Sequence, residues 1–339
     1  MTFPLDVYLA AVVSGFLVCA LALPFWRRWC LRTGHVDEPG QRKIHDQPIP
    51  LAGGLAVATG LVIPTLLACL SLWWGGAREW LHTATASAGA ADQVFLLKHG
   101  LGRRAVELAG ILVGALGMLA LGWLDDQREL RPRPKFIGQF LVALLVAASG
   151  ARITLFVHNV VFHYAITILW ILTVINAFNF MDNMNGLCAG LGAIGAWCFA
   201  CIAAVAGQYL VALIAFLTFG ALLGFLPYNF PRAHAFLGDA GSHLVGYLLA
   251  VLAILPHFYT ASHPRRWAVL IPLLVLAVPL VDLVWVVILR WRRGQPFYVG
   301  DTNHLSHRLV RSGLTPTGAV ILIWVIAAAA GGLGYLLRG

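Results

Sequence analysis

The chain has 339 residues, of which 60% are hydrophobic and only 11% are charged. Soluble domains are about 45–50% apolar and about 25% charged, so this composition excludes a soluble protein and indicates an integral membrane protein. The formal net charge of +9 does not indicate nucleic-acid binding, because the basic residues are spread over the loops between apolar runs, as orientation signals are.

Apolar runs recur along the whole chain. A membrane-spanning helix requires about 20 apolar residues, and this rule predicts about ten such helices. The first run has no basic segment before it, so we expect a membrane helix there and not a cleaved leader. Residues 1–339 are therefore predicted to form a single polytopic all-α domain. The predicted spans are 5–26, 51–74, 106–124, 136–150, 160–178, 187–206, 209–227, 241–256, 267–290 and 316–337.

The loops between these spans differ in their basic residues. Fifteen of the 23 Lys and Arg residues lie in five loops, and cytoplasmic loops carry such an excess. We therefore expect these loops on the cytoplasmic side and both termini outside. The segment 75–105 is then an extracytoplasmic loop, and 290–315 is a cytoplasmic loop rich in His and Arg. The five cytoplasmic loops are 27–50, 125–135, 179–186, 228–240 and 290–315.

Two pairs of glycines lie four residues apart within predicted spans, Gly110 with Gly114 and Gly220 with Gly224. Small residues at this spacing let membrane helices approach closely, so we expect helix contacts here. The sequence contains no inverted repeat and no matched pair of broken helices, which are typical of transporters.

The first cytoplasmic loop places Arg42, Lys43 and His45 before a Pro/Gly turn that opens the second span. Backbone amides at a helix N-terminus attract anions, and nearby basic side chains strengthen that attraction. The pattern favours a phosphate-bearing substrate. A role in membrane orientation alone is the alternative explanation.

The third span ends in two adjacent acids, Asp125 and Asp126, which are followed by several basic residues. Adjacent carboxylates repel each other unless a cation joins them, so the pair suits a divalent metal or a proton to be transferred. Lys135 lies at the start of the next span, where it can contact a phosphate or extend to lipid headgroups. A solvated helix end is the alternative explanation for the two acids.

Asparagines are concentrated in the third cytoplasmic loop. Asn176, Asn179 and Asn183 lie at i, i+3 and i+7, so we expect them on one helical face, with Asp182 nearby. Polar groups at the end of a membrane helix need partners. Other helices could supply them, and so could the hydroxyls and base of a sugar nucleotide.

A carboxylate flanked by glycines opens the predicted eighth span, in Gly238-Asp239-Ala240-Gly241-Ser242. A lone Asp before a helix is usually an N-cap. Here Asp239 is a third acid on the same side as Asp125 and Asp126. Three such acids are enough for a hard cation such as Mg²⁺ that is shared with phosphates.

The fifth loop is predicted to contain a short helix, capped by Asp301 or Thr302 and ending at Gly313. Its basic side chains would share one face, which suits phosphate binding. Asp282 lies inside the preceding span, where an acid indicates function by default. An ion pair with an arginine of a cytoplasmic loop is the alternative. The basic side chains are His304, His307, Arg308 and Arg311.

In this order, the motifs resemble those of the polyprenyl-phosphate N-acetylhexosamine-1-phosphate transferase superfamily, over nearly the whole chain. The chain is closer to the bacterial undecaprenyl-phosphate N-acetylglucosamine-1-phosphate transferase branch than to the phospho-N-acetylmuramoyl-pentapeptide transferase branch, whose triple-His run is absent. Each motif is weak alone, but all five on alternate loops are highly specific. They are R-K-x-H…P-x-x-G-G at 42–54, the acids at 125–126, the Asn-rich segment 176–186, G-D-x-G-S at 238–242 and the His-rich segment 301–308.

The resemblance implies a cytoplasmic active site in which Asp125, Asp126 and Asp239 are catalytic. Asp239 and Asp182 would hold Mg²⁺, with Mn²⁺ as an alternative ion. Asp125 would act near the lipid phosphate, and Asp126 would support the pair.

The resemblance also implies a nucleotide-sugar pocket, in which Phe236 would stack on uracil. Many members have an acid where this chain has Asn185, so the contact with the substrate there is expected to differ. The implied substrate-binding residues are Lys43, His45, Lys135, Asn176, Asn179, Asp182, Asn185, Asn229, Phe236, His304, His307 and Arg308.

The implied reaction moves a sugar-1-phosphate from a UDP-sugar to polyprenyl phosphate and releases UMP, the first membrane step of cell-envelope polysaccharide synthesis. Transfer of N-acetylglucosamine-1-phosphate to undecaprenyl phosphate is the preferred version, and another UDP-N-acetylhexosamine is the alternative. The expected setting is the bacterial inner membrane, with the UDP-sugar, the lipid acceptor and membrane lipids as partners. A homodimer is left open.

Two other functions compete with this interpretation. A membrane transporter on a related bundle would place ionisable residues near the membrane midplane, and only Asp282 fits that pattern. A phosphatidyltransferase of the CDP-alcohol type would carry several Asp residues on one helix, which this sequence lacks.

Overall fold

The computed structural model describes residues 4–39, 47–73, 99–256, 258, 265–296 and 302–338. Most of these residues are helical. The described strands have two residues each, β1 at Val36–Asp37 and β2 at Ile49–Pro50, and they pair antiparallel. The predicted all-α class is confirmed.

The helices follow one another along the chain, mostly with short connections. They are α1 Leu5–Thr33, α2 Gly53–Trp73, α3 Ala105–Arg128, α4 Pro132–Ser149, α5 Val160–Met181, α6 Leu187–Val205, α7 Tyr209–Asn229, α8 Gly238–Leu252, a 3-10 helix Arg266–Leu270, α9 Ile271–Val275, α10 Ala277–Arg292, α11 Leu305–Arg311 and α12 Pro316–Leu337. α4 and α12 begin at prolines, whose missing N–H is not needed in the first turn. α1 is terminated by Gly34, the residue after Thr33, whose φ of 72° is left-handed.

Seven of the described helices are long and apolar enough to cross a membrane: α1, α2, α3, α5, α6, α7 and α12. An eighth crossing results if α9, α10 and the preceding 3-10 helix form one bent span. The chain is therefore a multi-pass integral membrane protein. The predicted count of ten spans is not confirmed.

Two predicted spans differ from straight transmembrane helices for physical reasons. α8 has 15 residues and is buried on almost every side between α2, α3, α5 and α6. Its length of about 22 Å is less than the roughly 30 Å of a hydrocarbon core. The predicted span 267–290 bends by 75° between α9 and α10. Pro279, in the first turn of α10, has no N–H to donate to Val275, so the helix cannot continue through this point.

Glycines allow the closest helix contacts. A Cβ on Gly220 would lie 2.2 Å from the carbonyl oxygen of Val12, and a Cβ on Gly224 would also meet the α1 backbone. On α3, a Cβ on Gly114 would lie 2.3 Å from the hydroxyl of Tyr247 on α8. The helix contacts predicted from these small residues are confirmed.

The loops predicted to share one side of the membrane meet at one end of the bundle, as far as they are described. The Gly53 N–H donates to the carbonyl oxygen of Phe236 at 2.9 Å, which joins the start of α2 to the loop before α8. Ser306 of α11 donates to Asn183, beyond α5, at 2.7 Å. Asp126 at the end of α3 contacts the start of α8. This end of the bundle therefore contains the candidate site.

Gly122 sets the distance between α3 and α8. A Cβ there would lie 2.3 Å from the backbone carbonyl oxygen of Asp239. Because a backbone atom cannot swing aside, we expect Gly122→Ala to lower the free energy of unfolding by about 1–3 kcal/mol, the usual cost of overpacking. The thermal unfolding midpoint of the detergent-purified protein measures this loss.

Gly332→Ala is the matched control. Gly332 is also a helical glycine, in α12, and a Cβ there meets nothing within 4 Å. This substitution should leave the midpoint unchanged or raise it slightly, because it removes freedom only from the unfolded chain. Equal midpoints for the two variants would contradict the close contact at Gly122.

Candidate active site

The N-terminus of α8 is held by a carboxylate from α3. Asp126 Oδ1 accepts from the backbone N–H of Asp239 at 2.7 Å, and Oδ2 accepts from that of Ala240 at 3.0 Å. Gly238 has a φ of 70°, and a Cβ there would lie 2.8 Å from Asp126 Oδ2. Asp126 satisfies amides that a helix start leaves without helical partners, and it thereby fixes the position of Asp239 relative to α3.

An ammonium group bridges two carboxylates beside this helix start. Lys135 Nζ lies 2.6 Å from Asp125 Oδ2 and 3.4 Å from Asp239 Oδ2. Asp125 is only 6% exposed, and its Oδ1 accepts from the Leu130 N–H at 2.8 Å. Two carboxylates from different helices therefore share one positive charge.

Asn179, in the last turn of α5, adds an amide to this group. Its Nδ2 donates to Asp239 Oδ1 and, at 3.0 Å, to the Ser242 hydroxyl. Ser242 was not among the predicted site residues. Its i, i+3 spacing from Asp239 was a usable signal, because residues at that spacing share a helical face.

Asp182 places a further carboxylate just beyond α5. Desolvation by burial, and then the negative charges of Asp239 and Asp126, raise the pKa of Asp182 to about 8. The repulsion means that the cluster carries more negative charge than its neighbours neutralise. An added cation would therefore be stabilising here.

The donor set fits a hard divalent cation. Asp125, Asp182 and Asp239 offer carboxylate oxygens, the ligands that Mg²⁺ prefers. In the parts of the chain that the structure describes, no three His, Cys, Asp or Glu side chains are already arranged as a metal site. Mg²⁺ usually takes one or two protein carboxylates and completes its shell with water and substrate phosphates. The Lys135 ammonium already places positive charge between Asp125 and Asp239, so the residues present fit an ion that arrives with phosphates.

Buried polar groups lie about one helical turn away from these charges. Asn176 donates to Gln139 Oε1 at 2.9 Å, and it therefore joins α5 to α4. His243 is fully buried, and its Nδ1 donates to the carbonyl oxygen of Asp239 at 2.6 Å, because a carbonyl can only accept. Gln139 and His243 were not predicted as site residues, although each follows a site residue at i+4.

The loop between α7 and α8 is shaped by two asparagines that were predicted to bind substrate. Asn229 is buried; its Oδ1 accepts from the Gly186 N–H at 2.6 Å, and its Nδ2 donates within the loop at 2.9 Å. Asn185 donates to the carbonyl oxygen of Pro231 at 3.2 Å. Both amides support the loop that carries Phe236, a half-buried residue.

The three asparagines predicted on one face of α5 contact three different elements. Asn176 contacts α4, Asn179 contacts α8, and Asn183 accepts from Ser306 of α11. α5 ends at Met181, so the helical spacing no longer applies at Asn183. Four of the residues named from the sequence lie outside the described part of the chain: Arg42, Lys43, His45 and Asp301.

The structure separates the basic side chains predicted to share one face of the fifth loop. The short helix begins at Leu305, which is four residues after Asp301 and three after Thr302, the two predicted caps. It ends at Arg311. His304 precedes it and is buried, whereas Arg308 is exposed and stacks over the Trp285 ring at 4.8 Å. The prediction of a single cationic face is therefore wrong, because His304 lies before the helix and contacts a partner inside the protein.

That partner is Asp282. His304 Nδ1 lies 2.7 Å from Asp282 Oδ2, and the Leu305 N–H donates to Asp282 Oδ1 at 2.6 Å. No arginine pairs with Asp282 among the residues that the structure describes. The expected alternative, in which a loop arginine pairs with Asp282, is therefore wrong, and a histidine of the fifth loop is the partner.

Comparison with known proteins gives consistent matches. Residues 108–257 match glycosyl transferase family 4, and this region includes Asp125, Lys135 and Asp239. The chain is 30% identical to the Bacillus subtilis protein "Probable undecaprenyl-phosphate N-acetylglucosaminyl 1-phosphate transferase", over 95% of this chain and 84% of that protein. It is 31% identical to the Mycolicibacterium smegmatis "Decaprenyl-phosphate N-acetylglucosaminephosphotransferase", over 93% and 77%. It is 27% identical to the Escherichia coli K12 "Undecaprenyl-phosphate alpha-N-acetylglucosaminyl 1-phosphate transferase", over 96% and 82%.

Asp182 should make the stability of the metal-free protein depend on pH. Its pKa is about 8 in the folded protein against an ordinary value of 3.8, so folding favours the protonated form. The stability that this group contributes is full below about pH 4 and is lost as the pH rises towards about 8. With EDTA present, we expect the thermal unfolding midpoint to fall between about pH 5 and about pH 8, and to fall less in Asp182→Asn.

Asp6→Asn is the control for this measurement. Asp6 lies at the start of α1, at the opposite end from the site, where its Oδ1 accepts from the Val7 N–H at 2.9 Å. This variant should keep the pH dependence of the parent protein. The same pH dependence in all three proteins would contradict the raised pKa of Asp182.

Proposed function

Because this chain belongs to glycosyl transferase family 4, we propose that it transfers a sugar-1-phosphate from a UDP-sugar to polyprenyl phosphate and releases UMP. Membership follows from the match to the family and from 30% identity over 95% of the chain. The resemblance inferred from the motifs is thereby confirmed. N-acetylglucosamine is the proposed sugar and undecaprenyl phosphate the proposed acceptor, because the names of two relatives carry those words.

The observation that carries the proposal is the sharing of one ammonium by Asp125 and Asp239. Both proposed substrates are phosphates, so much of the barrier is the approach of two anions. A site for such substrates needs mobile or added positive charge that carboxylates can hold in place. Asp125, Asp239 and Lys135 provide this arrangement at the end of the bundle where the loops meet.

The proposed reaction exchanges one phosphoanhydride for another. An oxygen of the lipid phosphate forms a bond to the phosphorus that carries the sugar, and the bond from that phosphorus to the bridging oxygen breaks, so UMP leaves with that oxygen. Positioning and charge neutralisation then account for most of the rate. The proton of a singly protonated lipid phosphate would pass to Asp125, a buried carboxylate of this group.

Neighbouring side chains prepare these groups. Asn179 donates to Asp239 Oδ1, and the other carboxylate oxygen faces the ammonium. Asp126 keeps Asp239 at the start of α8. Lys135 can exchange its contact with a carboxylate for one with a substrate phosphate, since an ammonium has three donors.

Magnesium dependence is part of the proposal. Asp239 and Asp182 are the residues that would hold Mg²⁺, and Mn²⁺ is the alternative ion. When bound, the ion supplies positive charge to the phosphates. The support comes from the oxygen-rich donor set and from the raised pKa of Asp182, to which burial contributes most and the negative charges of Asp239 and Asp126 contribute next.

We place the site at the cytoplasmic face of the bacterial inner membrane, with both termini outside. The support is that the loops at this end of the bundle carry most of the Lys and Arg residues. The UDP-sugar then arrives from the cytoplasm, and the lipid acceptor arrives within the bilayer.

Transport is the competing function. Transport sites lie near the membrane midplane between helices, whereas the carboxylates described above meet at one end of the bundle. Asp282 was the acid that favoured transport, and both of its oxygens have partners in His304 and Leu305.

Release of UMP by the detergent-purified protein tests the proposal. Release should require UDP-N-acetylglucosamine, undecaprenyl phosphate and Mg²⁺ together. Asp125→Asn and Asp239→Asn should each lower the rate by roughly 10²-fold or more, because each removes one charge of the bridged pair. The unfolding midpoint shows whether the variants remain folded.

Glu129→Gln is the control, since Glu129 is an exposed acid that follows α3 directly. It should keep the parent rate. If UMP is released only from another UDP-sugar, the proposed sugar is wrong and the proposed type of reaction stands. Full activity of Asp239→Asn would remove the role assigned to this residue, and a folded parent that releases UMP from no UDP-sugar would contradict the proposed function.

A further inference from the structure

Asp282 is a buried acid that the proposed reaction does not use directly. It lies on α10 and is 2% exposed. Burying a carboxylate is unfavourable unless partners compensate for the lost water. The partners that it has should therefore indicate its role.

Both carboxylate oxygens of Asp282 contact one short stretch of chain. Oδ2 lies 2.7 Å from His304 Nδ1, and Oδ1 accepts from the Leu305 N–H at 2.6 Å. One oxygen therefore fixes the imidazole ring, and the other fixes the backbone at the start of α11. A neutral side chain of similar shape cannot do both in the same way, because an amide has only one acceptor oxygen.

The contact determines which ring nitrogen carries hydrogen. An ionised carboxylate accepts and never donates, so the His304 hydrogen lies on Nδ1. Nε2 makes no hydrogen bond with the described residues. Nε2 is thus the nitrogen that remains for a ligand.

The ring is also fixed by packing, and its segment is connected to the acidic cluster. Phe180 meets the His304 ring edge-on, with ring centroids 5.5 Å apart. The guanidinium of Arg290, itself buried, lies 4.9 Å from the centroid of the Phe180 ring. Ser306 donates to Asn183 at 2.7 Å, and Asn183 directly follows Asp182. The segment that carries His304 therefore contacts both the last turn of α5, through Phe180, and the residues just beyond it, through Asn183.

We propose that Asp282 is a positioning residue that acts through His304. It keeps the imidazole in the form with hydrogen on Nδ1 and holds the start of α11. Nε2 is then available to the UDP-sugar, as an acceptor for a sugar hydroxyl or, when the ring is protonated, as a donor to a phosphate oxygen. The identity of this ligand rests on the proposed function, whereas the hydrogen on Nδ1 does not.

The first test is spectroscopic and needs no activity. The protein has 12 histidines, so the ¹⁵N signals of His304 are assigned by their loss in His304→Gln. In the parent protein, Nδ1 should have the shift of a protonated nitrogen. In Asp282→Asn, the amide oxygen is retained by the Leu305 N–H and the amide N–H faces the ring, so Nδ1 should lose its hydrogen and Nε2 should gain it.

The second test is a double-mutant cycle on kcat/KM for UMP release. Asp282→Asn should lower kcat/KM by roughly ten- to hundredfold, the usual effect of losing the partner that orients a functional histidine. In a His304→Gln background the same substitution should cost less than about twofold, because its effect acts through the missing ring. A purely structural role would give the same factor in both backgrounds. Asp6→Asn, a carboxylate-to-amide change away from the site, should leave both backgrounds unchanged.

The outcomes are distinct. An unprotonated Nδ1 in the parent protein would overturn the inference, and this measurement does not require that any variant folds. Equal factors in the two backgrounds would also overturn it. A protonated Nδ1 that loses its hydrogen in Asp282→Asn, in a parent that releases no UMP, would uphold the contact with Asp282 and reject the proposed function instead.

Discussion

The contact between the Asp126 carboxylate and the first backbone amides of α8 is the constraint on which the site depends. α8 is short and almost completely buried, so solvent cannot satisfy the amides at its start. Asp126 satisfies two of them, and the neighbouring glycines let α3 and the start of α2 reach the same backbone. The result is that Asp239 stands at a fixed place among three helices. Lys135 and Asn179 both contact Asp239 at this position.

The carboxylates of the site are only partly neutralised by neighbouring positive charge. Asp125 and Asp239 compete for one ammonium, and Asp182 is difficult to ionise because it is desolvated by burial and, to a lesser extent, because its neighbours are negative. Such an arrangement lowers the stability of the isolated protein near neutral pH and favours the binding of cations. Phosphate substrates with a divalent ion would satisfy what the protein alone leaves unbalanced. The same region is therefore a weak point for folding and a favourable one for binding.

The class of protein, and the end of the bundle at which the polar loops meet, could be predicted from the sequence better than the individual contacts. Apolar runs predicted the membrane helices, and the spacing of Gly220 and Gly224 predicted a close helix contact that the structure contains. The burial of α8 and the bend before α10 were missed, because a span rule counts apolar residues and does not consider what surrounds a helix. The acids at 125, 126 and 239 were predicted to lie together, but not that Asp126 would hold a helix start. The partner of Asp282 was missed because 22 residues separate it from His304 in the chain.

The most direct test of the account is the binding of Mn²⁺, followed by electron paramagnetic resonance of the purified protein with and without UDP-N-acetylglucosamine. The account predicts that the parent protein binds Mn²⁺. It predicts tighter binding in the presence of the nucleotide sugar, beyond the amount of Mn²⁺ that the nucleotide sugar binds in a mixture without protein. It also predicts an affinity for Mn²⁺ at least about tenfold weaker in Asp239→Asn. Equal binding by the parent and Asp239→Asn would contradict the central claim that the carboxylates at the start of α8 receive a cation together with phosphates.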